Sequence, residues 1–350
     1  MAVYISAHGM GHAVRAAAVV ERLCSLVPAR VVVIAPGEST VWPASLAAVT
    51  ESWQRAPTDT GVVQSDDVTV DFAATAAALE RWLSELPAIR ERETEQLRSG
   101  FDLAIGDVPS AAFEAAERAG IPSVAIANFS WDWIYGELGF GAAAEAAAHG
   151  YARASLLLRA TPFAPMPAFG RTLDVGLVAR APSRARTATR TLLGTQGSTT
   201  LVLVAFQPWS APSMVFPAAR SDRRFLVPRG SPAPARDDVL LLPDGLAFVD
   251  AVAAADVVLG KPGYGLIGDI EASGSRFLYV PRRGFPENSV LEQHLSVRAG
   301  TLALAAADLA SPRWQNELER IEAMPRPDAA DFGGAARSAR AILELLSIDA

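Results

Sequence analysis

The sequence predicts an α/β protein of two doubly wound halves, each a Rossmann-like parallel sheet covered by helices. Three observations carry this. Short, continuously apolar strands alternate with helices, the pattern of a parallel sheet buried on both faces. The alternation stops in a stretch rich in proline and arginine and restarts at Leu201. A chain of 350 residues suits two domains, each able to bury its own core.

The first half opens with a strand at 3–6 (VYIS), a glycine-rich turn and a helix over 13–26. A second strand follows at 30–35 (RVVVIA). Residues 72–98 read as a long helix with Pro87 as a break point. Strands at 102–106 (DLAIG) and 123–127 (SVAIA) flank a helix at 110–118. Pro162, Pro165 and Pro167, then residues 182–197, form a region expected to pack poorly. The segment ARAPSRARTATR within it has arginines and no acid, and reads as a solvated linker rather than a ligand site.

The second series starts with LVLVAF at 201–206. Further strands are expected at 224–227, 238–242, 256–260, 276–280 and 301–304. Helices are expected at 245–254, 266–272, 289–299 and 334–347. The domain boundaries follow: 1–178, a linker at 179–200, a second domain at 201–330, and a C-terminal helix in 331–350 packing back on the first domain. Two such halves facing across a cleft would place ligands at the carboxyl ends of their strands.

Composition narrows the function. A net charge of −7 gives no basic field for a polyanion, so nucleic acid is not an expected partner. One cysteine, Cys24, makes no internal disulfide and no thiolate metal cluster; it sits in an apolar helical run and reads as packing. The first residues lack a basic region followed by an apolar stretch, and no apolar run reaches membrane-spanning length. A cytoplasmic location is therefore expected.

The first chemical segment runs from Ser6 to Arg15 (SAHGMGHAVR). Gly9 and Gly11 allow a tight turn, and the following helix start offers free amides and a positive dipole end. The third glycine of the dinucleotide fingerprint is replaced by Val14, which argues against a nicotinamide cofactor. The dipole favours the neutral imidazole that a general base needs, so His12 is the candidate base and His8 its neighbour. The plainer alternative is that the histidines cap the helix. Zinc is not expected, because no third ligand lies nearby in sequence.

A second group stands at the ends of strands in the same half. Asp107 follows DLAIG and could orient the His12 imidazole. Asn128-Phe-Ser-Trp-Asp-Trp-Ile-Tyr135 follows SVAIA, with Asn128, Ser130 and Asp132 able to bond sugar hydroxyls and Trp131 able to stack on a ring. Alternatively Trp131 and Trp133 fill core.

The third group is Gly260-Lys-Pro-Gly-Tyr-Gly265, again a glycine-rich turn before a helix. Lys261 could add charge for a phosphate. Asp269 and Glu271 could hold ribose hydroxyls, and the loop from Arg282 to Ser289 could meet a sugar. The Walker A pattern is lacking, so ATP hydrolysis is not indicated.

Together HGMGHAVR, GDVPSAAFEAAERAGIPSVAIANFSWDWIY, PMPAF with DVGLVAR, and VLGKPGYG resemble the glycosyltransferase-like N-terminal half of L-arabinokinases and its stand-alone bacterial relatives. No Pro-x-x-x-Gly-Leu-x-Ser-Ser-type loop of the sugar-kinase half occurs, so kinase activity is not carried over. More distantly the chain resembles GT-B glycosyltransferases, including the N-acetylglucosaminyltransferase of lipid II. That resemblance implies a GT-B fold, with acceptor in the first domain and a nucleotide-sugar, a UDP-sugar, in the second. It implies inverting transfer to a hydroxyl without metal or other cofactor. By the same resemblance His12 is the base; Gly263, Tyr264 and Gly265 hold the diphosphate; and Asp269 holds the ribose. Glu287 and Asn288 read the sugar, with Glu292 and Gln293 as the rival register, and Gln207 in Phe206-Gln-Pro208 faces the cleft.

The family's Thr and Ser-Glu after the turn are replaced by Leu266 and Gly268-Asp269. Two other readings therefore stay open: a binding or regulatory module without catalysis, and a nucleotide-sugar epimerase or hydrolase on the same fold.

Overall fold

The computed structural model describes residues 1–6, 10–36, 44–66, 69–195, 197–206, 214–282 and 284–348. The chain divides into two compact units. The first holds residues 1–65, 70–179 and 332–350; the second holds 66–69 and 180–331.

In chain order the first unit contains β1 (Ala2–Ile5), α1 (Met10–Cys24), β2 (Val32–Ala35), α2 (Ala44–Val49) and β3 (Ser52–Arg55). A short ribbon, β4 (Gln64–Asp66) and β5 (Thr69–Val70), precedes α3 (Phe72–Arg98). Then come β6 (Ala104–Asp107), α4 (Ser110–Ala119), β7 (Ser123–Ala127), α5 (Trp131–Glu137), α6 (Gly141–Tyr151), β8 (Leu156–Thr161) and β9 (Thr172–Leu177). Seven strands form one sheet in the order β3-β2-β1-β6-β7-β8-β9, every pairing parallel. The order reverses between β1 and β6, so the switch point lies beyond Ile5 and Asp107.

The second unit contains α7 (Arg186–Leu192), β10 (Thr200–Val204), β11 (Arg223–Val227), β12 (Val239–Leu241), α8 (Phe248–Ala254), β13 (Val257–Gly260) and α9 (Tyr264–Ser273). It continues with β14 (Arg276–Tyr279), α10 (Glu287–Ser296), β15 (Thr301–Ala303), α11 (Ala306–Leu309) and α12 (Trp314–Glu322), while α13 (Gly334–Leu345) returns to the first unit. Its parallel sheet runs β12-β11-β10-β13-β14-β15 and reverses between β10 and β13.

The strands read as apolar runs because both faces of each sheet are covered. In the first unit Val3, Ile5, Val33 and Ile105 pack on one face against α1 and α13 through Ala13, Val20 and Ile342. Tyr4, Ile34 and Ala104 pack on the other face against Leu97, Ala112 and Ala116 of α3 and α4.

Several sequence expectations are corrected. The long helix runs unbroken through Pro87. That proline is exposed, while Leu79, Trp82, Leu86, Ile89 and Leu97 are buried on both sides of it. Apolar burial along one face outweighs a single missing backbone bond. The region around Pro162–Pro167 is flanked by β8 and β9, two strands not foreseen. Residues 180–200 are no free linker: they carry α7 and lie within the second unit. Residues 131–137, given no element from the sequence, form the helix α5.

Ile342 is fully buried in the first core although it comes from the far end of the chain. Ile342→Ala is expected to cost about 2–5 kcal/mol and lower the urea midpoint, by lost transfer energy and a residual cavity. The exposed Val297→Ala should stay within about 0.5 kcal/mol. Equal midpoints for the two variants would contradict the placement of α13.

Candidate functional site

The first cluster is built on the switch point of the first sheet. His12 and Arg15 are three apart on α1, hence on one face, and both are buried. Asp107 ends β6 and is 0% exposed. His12 Nδ1 lies 2.7 Å from Asp107 Oδ1. Arg15 Nε donates to Oδ2 at 2.9 Å and its Nη2 to Oδ1 at 2.5 Å. Arg15 Nη1 donates to Asn128 Oδ1, and Asn128 Nδ2 donates to the carbonyls of Ala160 and Pro162 at 2.7 and 2.6 Å.

Each part explains another. A buried carboxylate is tolerated only with a charge partner and several donors, and Arg15 supplies both in a bidentate pair. With Oδ1 accepting, Nδ1 of His12 carries the hydrogen, which leaves Nε2 with the lone pair; this tautomer is assigned from the network. Nη2 of Arg15 is 3.2 Å from Nδ1 because both donors converge on the same oxygen.

Aromatic rings wall the histidine. Phe129 meets it edge-on at 5.5 Å and Trp131 lies at 6.4 Å. Trp131 Nε1 donates to Asp59 Oδ2 at 2.9 Å, and its ring stacks on Tyr135 at 5.4 Å. The backbone beyond Asp107 is strained. Val108 is a fully buried β-branched residue with φ 67°, a conformation costing about 1–3 kcal/mol. Tyr151 holds it, its hydroxyl donating to the Val108 carbonyl at 2.6 Å and accepting from the Trp131 amide at 3.1 Å.

The expected residues of this half fall out unequally. His12, Asp107 and Asn128 come together. Trp131, Ser130 and Asp132 are buried, with Trp131 engaged inside the protein, and Trp133 is half-buried. His8 and Gln207 lie outside the described residues. Arg15, Asp59 and Tyr151 were missed. Arg15 had a signal, its spacing of three from His12; the other two are distant in sequence and had none.

The second cluster surrounds the glycine turn after β13, at the switch point of the second sheet. Gly263 is the extended N-cap of α9, and among the described residues no side chain caps the helix at that position. Lys261 and Tyr264 are half-buried beside it. Asp269 lies one and a half turns into α9, is 2% exposed, and accepts Arg180 Nη2 on Oδ2 at 2.5 Å. Its Oδ1 is buried without a partner among the described residues. Burial raises its carboxyl above the usual value, against the opposing pull of Arg180.

Glu271 is likewise engaged, with His294 Nε2 at 2.6 Å and Arg298 Nε at 3.7 Å. Glu287 is buried 3.8 Å from Arg282 Nη1, and Asn288 Oδ1 accepts the Arg282 amide at 3.0 Å. In the rival register Glu292 is half-buried and Gln293 exposed on α10. Among the described residues no group of three or more His, Cys, Asp or Glu is placed to hold a metal, and no helix is long and apolar enough to cross a membrane.

The chain is similar to known proteins in sequence and in fold. No family model matches the chain. L-arabinokinase of Arabidopsis thaliana is 30% identical over 338 residues, 91% of this chain. The chain spans about a third, 32%, of that relative's length. Among solved structures, the glycosyltransferase of kitacinnamycin superposes with a TM-score of 0.60 at 16% identity, covering 99% of this chain and 97% of that one. The calicheamicin glycosyltransferase CalG4 gives 0.60 at 17% identity, covering 98% and 94%. The UGT89C1 of Arabidopsis thaliana, complexed with UDP, gives 0.61 at 13% identity and 99% of each chain. This chain has the GT-B fold. Within that fold, His12 and Asp107 stand in the first Rossmann-like unit and the Gly263–Gly265 turn in the second.

Two expectations test the first cluster. Arg15→Met leaves Asp107 buried without its cation and should destabilise the protein by about 3–5 kcal/mol, while adding Asp107→Leu should recover much of the loss. A double variant no better than Arg15→Met would contradict the pairing. Separately, burial raises the Asp132 carboxyl above its ordinary 3.8, with Ser130 and nearby amides pulling it partly back. Below 3.8 both states are protonated and the burial costs nothing; above it the unfolded chain ionises first and stability falls until the folded carboxyl ionises too. Chemical denaturation should therefore show Asp132→Asn gaining on the wild type as pH rises from about 4 towards neutrality.

Proposed function

We propose that this protein is a glycosyltransferase that moves a sugar from a nucleotide-sugar, a UDP-sugar, to a hydroxyl acceptor with inversion at the anomeric carbon. The observation that supports it most is the buried His12–Asp107 pair at the carboxyl end of a GT-B sheet. His12 Nε2 takes the acceptor proton as the hydroxyl oxygen attacks the anomeric carbon. The bond from that carbon to the diphosphate oxygen breaks, and the nucleoside diphosphate leaves. Asp107 stabilises the imidazolium through Nδ1–H, as the carboxylate of a triad does, and Arg15 holds Asp107 in place.

The leaving diphosphate is received by the amides at the start of α9, with Lys261 adding charge. Fixed dipoles aimed where charge develops do this without a metal ion. Asn128 already gives its side chain to Arg15 and to two carbonyls, so in this reading it supports the base and leaves the acceptor to other groups.

A second reading is binding without transfer. It draws on the second cluster, where Asp269 is held by Arg180 and Leu266 stands in place of a hydroxyl. Under either reading a nucleoside diphosphate raises the melting temperature, because it binds only the folded protein.

His12→Ala is expected to lower turnover by about 10²–10⁴-fold while calorimetry shows unchanged nucleoside diphosphate binding. Full activity in that variant would remove His12 as the base. Saturable donor binding with no product across an acceptor panel would favour the second reading.

A further inference from the structure

Two arginines of the 180–190 segment, Arg186 and Arg190, line a cavity away from the glycine turn. A cavity of about 610 Å³ opens at the amino ends of β10, β13 and β14, the end of the sheet opposite the Gly263–Gly265 turn. Arg186, Arg190 and Arg276 line it, and Arg326 lies behind them. All four guanidinium groups gather on Asp256. Arg186 Nη2 donates to its Oδ1 at 2.5 Å and Arg190 Nη1 to its Oδ2 at 2.9 Å. Arg326 Nη1 is 3.8 Å from Oδ1, and Arg276 Nη1 is 3.4 Å from the Asp256 carbonyl.

The charges do not balance. Glu322 also lines the cavity, but Arg223 holds it in a bidentate pair at 2.8 and 2.6 Å. Among the described residues, Asp256 then offers one carboxylate to the group: Arg186, Arg190 and Arg326 meet its carboxyl oxygens, and Arg276 meets only its backbone carbonyl. The arginines also donate to the carbonyls of Ala253, Ala254 and Ala255 at the carboxyl end of α8. A helix terminus contributes only about half a negative charge, so it offsets a fraction of the excess. A cap for that helix would need one guanidinium, not the three that reach it, and Arg276 donates elsewhere, to the carbonyls of Met324 and Asp256.

Burial and the neighbouring arginines push Arg326 down to about 10, and burial lowers Arg186 as well. Among the described residues, nothing accepts from Nη2 of Arg276. The exposed hydroxyls of Thr187 and Thr191 stand on the same wall of α7 as Arg186 and Arg190.

We propose that this cavity binds an oligophosphate, a small molecule carrying at least two linked phosphate groups, held by Arg186, Arg190 and Arg276. The excess of roughly two to three positive charges matches the charge of a diphosphate, and guanidinium forks fit paired phosphate oxygens. The site is separate from the donor turn and needs no catalytic residue.

The test is calorimetric titration of the full chain with inorganic pyrophosphate, at about 0.05 and about 0.3 M salt. The expected result is saturable binding that weakens with salt. Thr191→Glu places a carboxylate on the exposed cavity wall without removing any arginine contact, and should weaken binding at least about tenfold. Arg276→Gln should weaken it similarly, and unchanged melting temperature in Thr191→Glu guards against misfolding. No saturable heat at millimolar pyrophosphate would overturn the proposal. So would equal binding by wild type and Thr191→Glu, since the anion would then sit at the glycine turn.

Discussion

A carboxylate with no access to water organises the first unit. Asp107 ends the central strand β6 and is wholly enclosed, so it must be matched by charge and by donors or be expelled. The match comes from one face of α1, where Arg15 grips both oxygens and His12 takes a third bond. Arg15 in turn engages Asn128, and Asn128 ties together the ends of β7 and β8. One buried charge thereby sets how α1 sits on the sheet and which way the histidine faces. The bonds that orient the histidine are the same bonds that satisfy the buried charge.

Strain and support are placed beside that charge. Val108 holds an unfavourable backbone angle directly after Asp107, and Tyr151 bonds its carbonyl while also bonding the start of α5. A β-branched residue keeps such a conformation only where its surroundings over-determine it. Trp131, stacked on Tyr135 and bonded to Asp59, lies beside the histidine, so an aromatic residue that could have stacked on a sugar is engaged inside the protein.

The second unit also pairs acids with arginines, with a different outcome at each end of its sheet. Near the glycine turn Asp269 has one cation, Arg180, and one idle oxygen. At the amino ends of the strands Asp256 has more cations than it can neutralise. The first arrangement leaves an acid with spare acceptor capacity, the second leaves guanidinium groups with spare donor capacity. Both use arginines from the segment that composition alone marks as a solvated linker.

Apolar periodicity and glycine turns were enough to read two parallel sheets, the place where the second begins, and His12 and Asp107 as residues at strand and helix ends. These features are local: a strand buried on both faces must be apolar, and a tight turn before a helix must be small. The spacing of Arg15 from His12 was also local and was legible, though only burial of Asp107 gives it meaning. The return of the C-terminal helix to the first domain was expected from the domain reading, and α13 makes it. The continuity of α3 through Pro87, the β8–β9 extension and the gathering of arginines around Asp256 were settled by tertiary structure alone. Each depends on free energy from partners far away in the chain, a packed face or an opposite charge, which no window of neighbouring residues contains.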